Sequence, residues 1–172
     1  MKYAVAALIV AQAGTAGSLF LSVGMGPKAC PLCFYQRTFI MAAAAVLGVG
    51  LLADRGRAAL FCLLCLPLAL AGLGVAGFHE YLVVTGVLEC PKALFGFGTA
   101  PAQSLGVFAA LTVAVAAGAE RRARVIAAAI VVGGPMAWSS IASSPPLPPA
   151  PKAPYDVEKQ PLDMCRPVFR AA

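Results

Sequence analysis

Residues 58–78 read AALFCLLCLPLALAGLGVAGF, an unbroken stretch without Asp, Glu, Lys or Arg. About 20 apolar residues are enough to cross the hydrocarbon core of a bilayer, so this stretch predicts a membrane-spanning helix. Working outward, the remaining charges leave four further charge-free windows at 3–27, 38–53, 93–119 and 125–151. Five spans are expected, at about 4–23, 35–53, 58–78, 102–118 and 125–142. The second window is short unless it borrows Phe34 and Tyr35 and lets Arg37 snorkel. Composition agrees: 60% of the chain is hydrophobic and 12% charged, too few charges to coat a soluble domain of this length. The net charge is +6, but the basic residues sit singly at the ends of apolar runs. No basic stripe with interleaved aromatics is present, which excludes a nucleic-acid interface.

Lys and Arg near the span ends set the orientation. With a cytoplasmic N-terminus the inner side carries Lys2, Arg55, Arg57, Arg121, Arg122 and Arg124, and the outer segments carry Lys28, Arg37 and Lys92. Five spans then leave the C-terminal segment outside, together with Cys30, Cys33, Cys90 and Cys165. That face is the oxidising one, where disulfides form and persist. Ala11-Gln12-Ala13 has the small-x-small form of a signal cleavage site, but the apolar run continues past it and the segment is read as a span.

Six prolines between Pro145 and Pro154 forbid a further helix and favour a semi-rigid polyproline II spacer. From Ser143 the chain can reach back across the outer face, so Cys165 can meet Cys90. A disordered terminus is the alternative. The expected organisation is thus a transmembrane helical bundle over 1–142 and a proline-rich extracytoplasmic tail over 143–172 carrying Cys165.

Outward from the first span lies Cys30-Pro-Leu-Cys33-Phe-Tyr-Gln36-Arg37. Two thiols separated by two residues close and reopen a small disulfide ring readily, which makes the pair a candidate two-electron redox centre. Cys33 is expected at the start of the second span, where unpaired helix amides and Arg37 one turn on would favour its thiolate. A plain stapling disulfide and a four-thiolate zinc site of Cys30, Cys33, Cys90 and Cys165 are the competing readings. Haem attachment fails because Phe34 stands where that motif needs His. Cys62 and Cys65 repeat the spacing inside the third span, where they read as small packing residues. His79, the single histidine, ends that span and is open between a hydrogen-bond donor to a carbonyl ligand and a solvated interfacial residue.

The Cys30–Arg37 run resembles the C-x-x-C-x-x-[QE]-R signature of the DsbB family of membrane thiol oxidases. The resemblance continues through His79, Cys90 about a dozen residues later, and the proline-led Thr99-Ala-Pro101-Ala-Gln-Ser-Leu-Gly-Val-Phe108. It implies a protein that reoxidises a periplasmic thioredoxin-fold oxidase of the DsbA type and passes the electrons to a membrane quinone, ubiquinone or menaquinone. It further implies a multi-pass protein of the bacterial inner membrane with its active cysteines on the periplasmic side. By the same resemblance Cys30 and Cys33 are the quinone-facing pair, Arg37 and His79 lie near the quinone, and Cys90 exchanges with the partner. One departure stands out: residues 91–101 contain no cysteine, and a fifth span and the tail supply Cys165 instead, so its role is inferred from topology.

The expected fold is therefore an all-α membrane protein, a four-helix transmembrane bundle with a fifth transmembrane helix. A vitamin-K-epoxide-reductase-like enzyme would share the bundle, the C-x-x-C and the quinone, but places its active pair later in the bundle. A non-enzymatic thiolate metal site would leave Arg37 and His79 without roles.

Overall fold

The computed structural model describes residues 1–26, 28–119, 123–151, 153–155 and 162–169. Arg121 and Arg122, used above for orientation, lie outside the described residues. Among the described residues five helices, each long and apolar enough to cross a membrane, make this an all-α membrane protein: α1 (Lys2–Val23), α2 (Pro31–Ala53), α3 (Ala58–Val84), α4 (Ala100–Gly118) and α5 (Ala123–Ala142). Helices α1 to α4 pack as a closed ring, each against the next and α4 back against α1, while α5 docks on α3.

Local chemistry fixes the helix starts. Pro31 opens α2, at the position where a missing N–H costs nothing, and Cys30 caps it by accepting the Cys33 amide at 3.3 Å. Thr99 caps α4 through the Ala102 amide, again with a proline in the first turn. Between α2 and α3, Asp54 accepts the Gly56 amide and pairs with Arg57 at 3.2 Å, tightening the turn. Helix α3 continues through Pro67, and α5 through Pro135.

Without a hydrophobic drive between helices in lipid, close approach must come from small residues. Ala4, Ala7 and Ala11 form the buried stripe of α1. Gly72 of α3 lies under the Phe108 ring of α4; a Cβ there would stand 2.0 Å from Phe108 Cε1. Because Phe108 is itself almost fully buried, the ring has nowhere to go. Gly72→Ala should therefore cost about 1–3 kcal/mol through overpacking, read as a lower midpoint of thermal unfolding in detergent. Trimming the ring in Gly72→Ala with Phe108→Leu should recover part of that loss.

The odd number of helices returns the chain after α5 to the end where α1 gives way to α2. There residues 162–169 lie across the bundle. A two-residue antiparallel ladder pairs β1 (Leu88–Glu89) with β2 (Arg166–Pro167). Arg166 pairs with Glu89 and stacks on Tyr155 with its guanidinium carbon 3.7 Å from the ring centre. The Lys28 amide donates to the Asp163 carbonyl at 2.7 Å, and the Lys28 ammonium pairs with the Asp163 carboxylate at 2.9 Å, which holds that carboxyl below its ordinary range. The exposed ion pair is worth little by itself. The covalent tie is the larger one: Cys90 and Cys165, 75 residues apart, form a disulfide, and a loop of that length restricts the unfolded chain by about 4 kcal/mol on the chain-entropy account.

Candidate redox site

Four elements bring the site together at one end of the bundle: the N-terminus of α2 with Cys30, Cys33, Gln36 and Arg37, the end of α3 with His79, the loop before α4 with Cys90, and the returning segment with Cys165. The Cys30 and Cys33 sulfurs share a hydrogen bond at 2.8 Å. His79 is fully buried, and its Nε2 lies 3.8 Å from the Cys30 sulfur and 3.6 Å from the Cys90 sulfur. On the other side of the ring, Nδ1 meets the Gln36 amide nitrogen at 3.2 Å. The Cys165 sulfur completes the cluster: it, the Cys30 and Cys33 sulfurs and a His79 ring nitrogen all lie within 4.8 Å of one another. Two dithiol/disulfide couples thus stand in contact, which is the geometry that thiol–disulfide exchange requires.

The sequence placed the helix-start effect on Cys33; the structure places it on Cys30. Pro31 starts α2 well before residue 35, so Cys33 falls inside the first turn and it is Cys30 that receives the free amide. The Cys30 thiol is pushed down to about 5, first by the hydrogen bond from Cys33, against the opposing effect of burial, and then by the hydrogen bond and charge of His79. The thiolate therefore persists above about pH 5 and is lost as the pH falls through that value. In a Cys62→Ala, Cys65→Ala background with the inner pair reduced, thiolate ultraviolet absorbance should fall with a midpoint near pH 5, and Cys30→Ser should remove that transition.

Arg37 points from the same helix toward α1. Its Nε donates to Ser18 Oγ and its Nη2 to the Ser18 carbonyl, both at 2.9 Å, with Nη2 also bonded to Ser22 Oγ. Its Nη1 has no protein acceptor among the described residues. The guanidinium borders a cavity of about 150 Å³ lined by Ile40, Val107 and Phe108 on its apolar walls, by Gln103 on a polar one, and by Cys33. His79 is not among that cavity's lining residues. The sequence read His79 as a residue of the carbonyl-ligand side or as a solvated one; the structure instead buries it against the sulfurs.

Cys62 and Cys65 are fully buried in α3. Gly118 of α4 leaves room for the Cys62 sulfur, and the Cys65 thiol donates to the Ala43 carbonyl at 3.6 Å, so both pack helices together. A four-thiolate metal centre does not fit the outer pair, because the Cys90–Cys165 bond leaves neither sulfur as a thiolate. Sequence reasoning gave no role to Ser18, Ser22, Gln36 or Gln103. The signal was present in Ser18 and Ser22, polar residues four apart inside an apolar span, which in lipid usually mark a buried partner.

Residues 2–119 match the model of the family "Disulfide bond formation protein DsbB". The chain is 31% identical over 90 residues to "Disulfide bond formation protein B 1" of Pseudomonas fluorescens, covering 52% of this chain and 53% of the relative. It is 34% identical over 84 residues to "Disulfide bond formation protein B" of Burkholderia thailandensis, covering 48% and 49%. It is 30% identical over 108 residues to the "Probable disulfide formation protein" of Chlamydia trachomatis, covering 57% and 78%. The chain spans about half the length of the Pseudomonas and Burkholderia relatives. No solved structure matches it. Helix α5 and the segment carrying Cys165 lie beyond the residues that the family model covers, yet they complete the cysteine cluster that its first part begins; by the match over residues 2–119, this chain belongs to the DsbB family.

Proposed function

We propose that this protein is a thiol:quinone oxidoreductase of the bacterial inner membrane that reoxidises a periplasmic thioredoxin-fold oxidase of the DsbA type. The observation that carries the reading is the contact between two cysteine couples beside a cavity furnished with a cation, which Cys33 of one couple and Cys165 of the other both line. In the forward direction the partner's dithiol reduces Cys90–Cys165, so the partner gains a disulfide and the outer pair becomes two thiols. The outer thiols then reduce a Cys30–Cys33 disulfide in the same way, and two electrons and two protons come to rest on the inner pair. The mixed disulfide of the second exchange needs sulfurs of the two couples in mutual reach, as Cys165 is to Cys30 and Cys33.

A quinone supplies what no side chain can, a lipid-soluble acceptor for those two electrons and two protons. The cavity beside Cys33 suits such a group. Ile40, Val107 and Phe108 offer apolar walls to a flat ring, and Arg37, anchored to α1, keeps an Nη1 donor for a carbonyl oxygen. Cys33 is the inner cysteine that lines this cavity, so electrons leave from its side. Arg37 stays fixed because Ser18 and Ser22 satisfy its other donors, which keeps the cation in place with no carboxylate paired to it among the described residues.

The test is quinone-dependent oxidation of a reduced DsbA-type protein by the purified protein in lipid nanodiscs. Activity with quinone and none without it supports the reading. Arg37→Ala should raise the KM for quinone about 10–100-fold, the loss of one charged hydrogen bond, while leaving exchange with the protein dithiol within about twofold of the parent. An unchanged quinone KM would remove Arg37 from the acceptor site.

A further inference from the structure

The returning segment carries one charge on each side of its cysteine, Asp163 two residues before Cys165 and Arg166 one residue after it. Each charge is matched on a different cysteine-bearing segment. Lys28, two residues before Cys30, pairs with the Asp163 carboxylate at 2.9 Å and donates its amide to the Asp163 carbonyl at 2.7 Å. Glu89, one residue before Cys90, pairs with Arg166 through the side chains and through the β1–β2 register. Tyr155 braces that side, stacking on the guanidinium at 3.7 Å and donating its hydroxyl to the Pro167 carbonyl at 2.9 Å. The tail thus lies as an acid–cysteine–base run between a base beside one couple and an acid beside the other. Turned end for end, it would set Asp163 against Glu89 and Arg166 against Lys28, two like-charge contacts.

Neither tie involves a sulfur, so both outlast the opening of the Cys90–Cys165 bond. The effective concentration of a group on a tether falls as the space it explores grows, and rises steeply when the group is held in contact geometry. A tail joined to the bundle only through the proline run from Pro145 would carry Cys165 through a wide volume once the outer disulfide opened. With Asp163 on Lys28 and Arg166 on Glu89, the cysteine between them stays where its sulfur lies within 4.8 Å of the Cys30 and Cys33 sulfurs and opposite Cys90.

We propose that Asp163 and Arg166 are positioning residues that hold Cys165 between the two couples while the outer disulfide is open, Asp163 setting its reach to the inner pair and Arg166 its reach to Cys90. This rests on the exchange between couples read under Proposed function, which is the step the two residues serve. In that step Cys165 bonds to one inner sulfur as the Cys30–Cys33 bond breaks, and the electron pair stays on the other inner sulfur. The Cys90 thiolate then takes Cys165 back, which restores the outer disulfide and leaves the inner pair as a dithiol. Both bonds form within one chain only as long as Cys165 remains docked between its two neighbours.

The experiment measures the effective concentration of Cys165 toward each neighbour, from the ratio of internal disulfide to glutathione adducts at equilibrium in a glutathione buffer, by acid quenching and peptide mass spectrometry. The full chain is used in lipid nanodiscs with Cys62→Ala and Cys65→Ala. Cys33→Ser with Cys90→Ser leaves Cys165 to pair with Cys30, and Cys30→Ser with Cys33→Ser leaves it to pair with Cys90. Asp163→Lys sets two ammonium groups together and should lower the value toward Cys30 about fivefold or more, while that toward Cys90 stays within about twofold. Arg166→Glu should do the reverse, by about tenfold because that pair is the less exposed one. The swapped pairs, Lys28→Asp with Asp163→Lys and Glu89→Arg with Arg166→Glu, should each recover most of the loss. A loss that its swapped pair does not recover removes that residue from the proposal. Equal losses toward both neighbours, or none toward either, overturn the proposal and leave the relay standing. A parent chain that closes Cys90–Cys165 but never Cys30–Cys165 overturns the relay as well.

Discussion

Changing Cys33 to serine should bring quinone reduction down to the uncatalysed background. The inner couple stores two electrons only as a dithiol that can close to a disulfide, and serine leaves Cys30 with no sulfur 2.8 Å away to close upon. Of the Cys30–Cys33 pair, only Cys33 borders the Arg37 cavity, so the pair has lost the sulfur that faces an acceptor bound there. The Cys90–Cys165 bond lies on other elements and should still form. The measurement is steady-state quinone absorbance with a reduced DsbA-type protein, alongside mass mapping of the outer disulfide. Quinone reduction at the parent rate in Cys33→Ser would mean that electrons reach the acceptor from another sulfur.

Ending the chain before Ser144 should stop turnover with the protein partner altogether. The deletion removes Cys165 and with it the outer disulfide, the β1–β2 ladder and the Lys28–Asp163 and Arg166–Glu89 ties. It leaves the ring of α1 to α4, the inner pair and the Arg37 cavity walls on α1, α2 and α4 in place. A small dithiol such as dithiothreitol, which needs no relay, should therefore still reduce the inner pair and support quinone reduction. Loss of the 75-residue covalent loop should also lower the unfolding midpoint, by the amount corresponding to about 4 kcal/mol. Full activity toward the protein partner after truncation would reject the relay and leave Cys90 to act alone or with the first pair.

The number of helices and the end of the bundle at which Cys30, Cys33, Cys90 and Cys165 gather were legible in the chain. Hydropathy is summed along a segment, so the charge-free stretch at 58–78 needs no knowledge of its neighbours to be read as a helix. Helix parity then puts Cys165 at the same end as Cys30, Cys33 and Cys90, and the proline run supplies the reach. What hydropathy does not contain is rotation about a helix axis. Where most of a helix surface is apolar, the rotation is decided by which small residues let a neighbour approach: Ala4, Ala7 and Ala11 on one helix, Gly72 beneath Phe108 on another.

That rotation turned His79 toward the sulfurs of Cys30 and Cys90 and left it off the cavity bordered by Arg37. It likewise aligned Ser18 and Ser22 to hold Arg37, and set Gln36 against the imidazole. The helix start was missed for a related reason: a composition window cannot see that Pro31 begins α2 and hands the free amide to Cys30. The sequence alone thus determined which residues share one end of the bundle, because that depends on length and polarity along a line. Only the tertiary structure decided which atoms face one another there, because a hydrogen bond or a disulfide exchange is settled by a few ångströms of packing between helices distant in the chain.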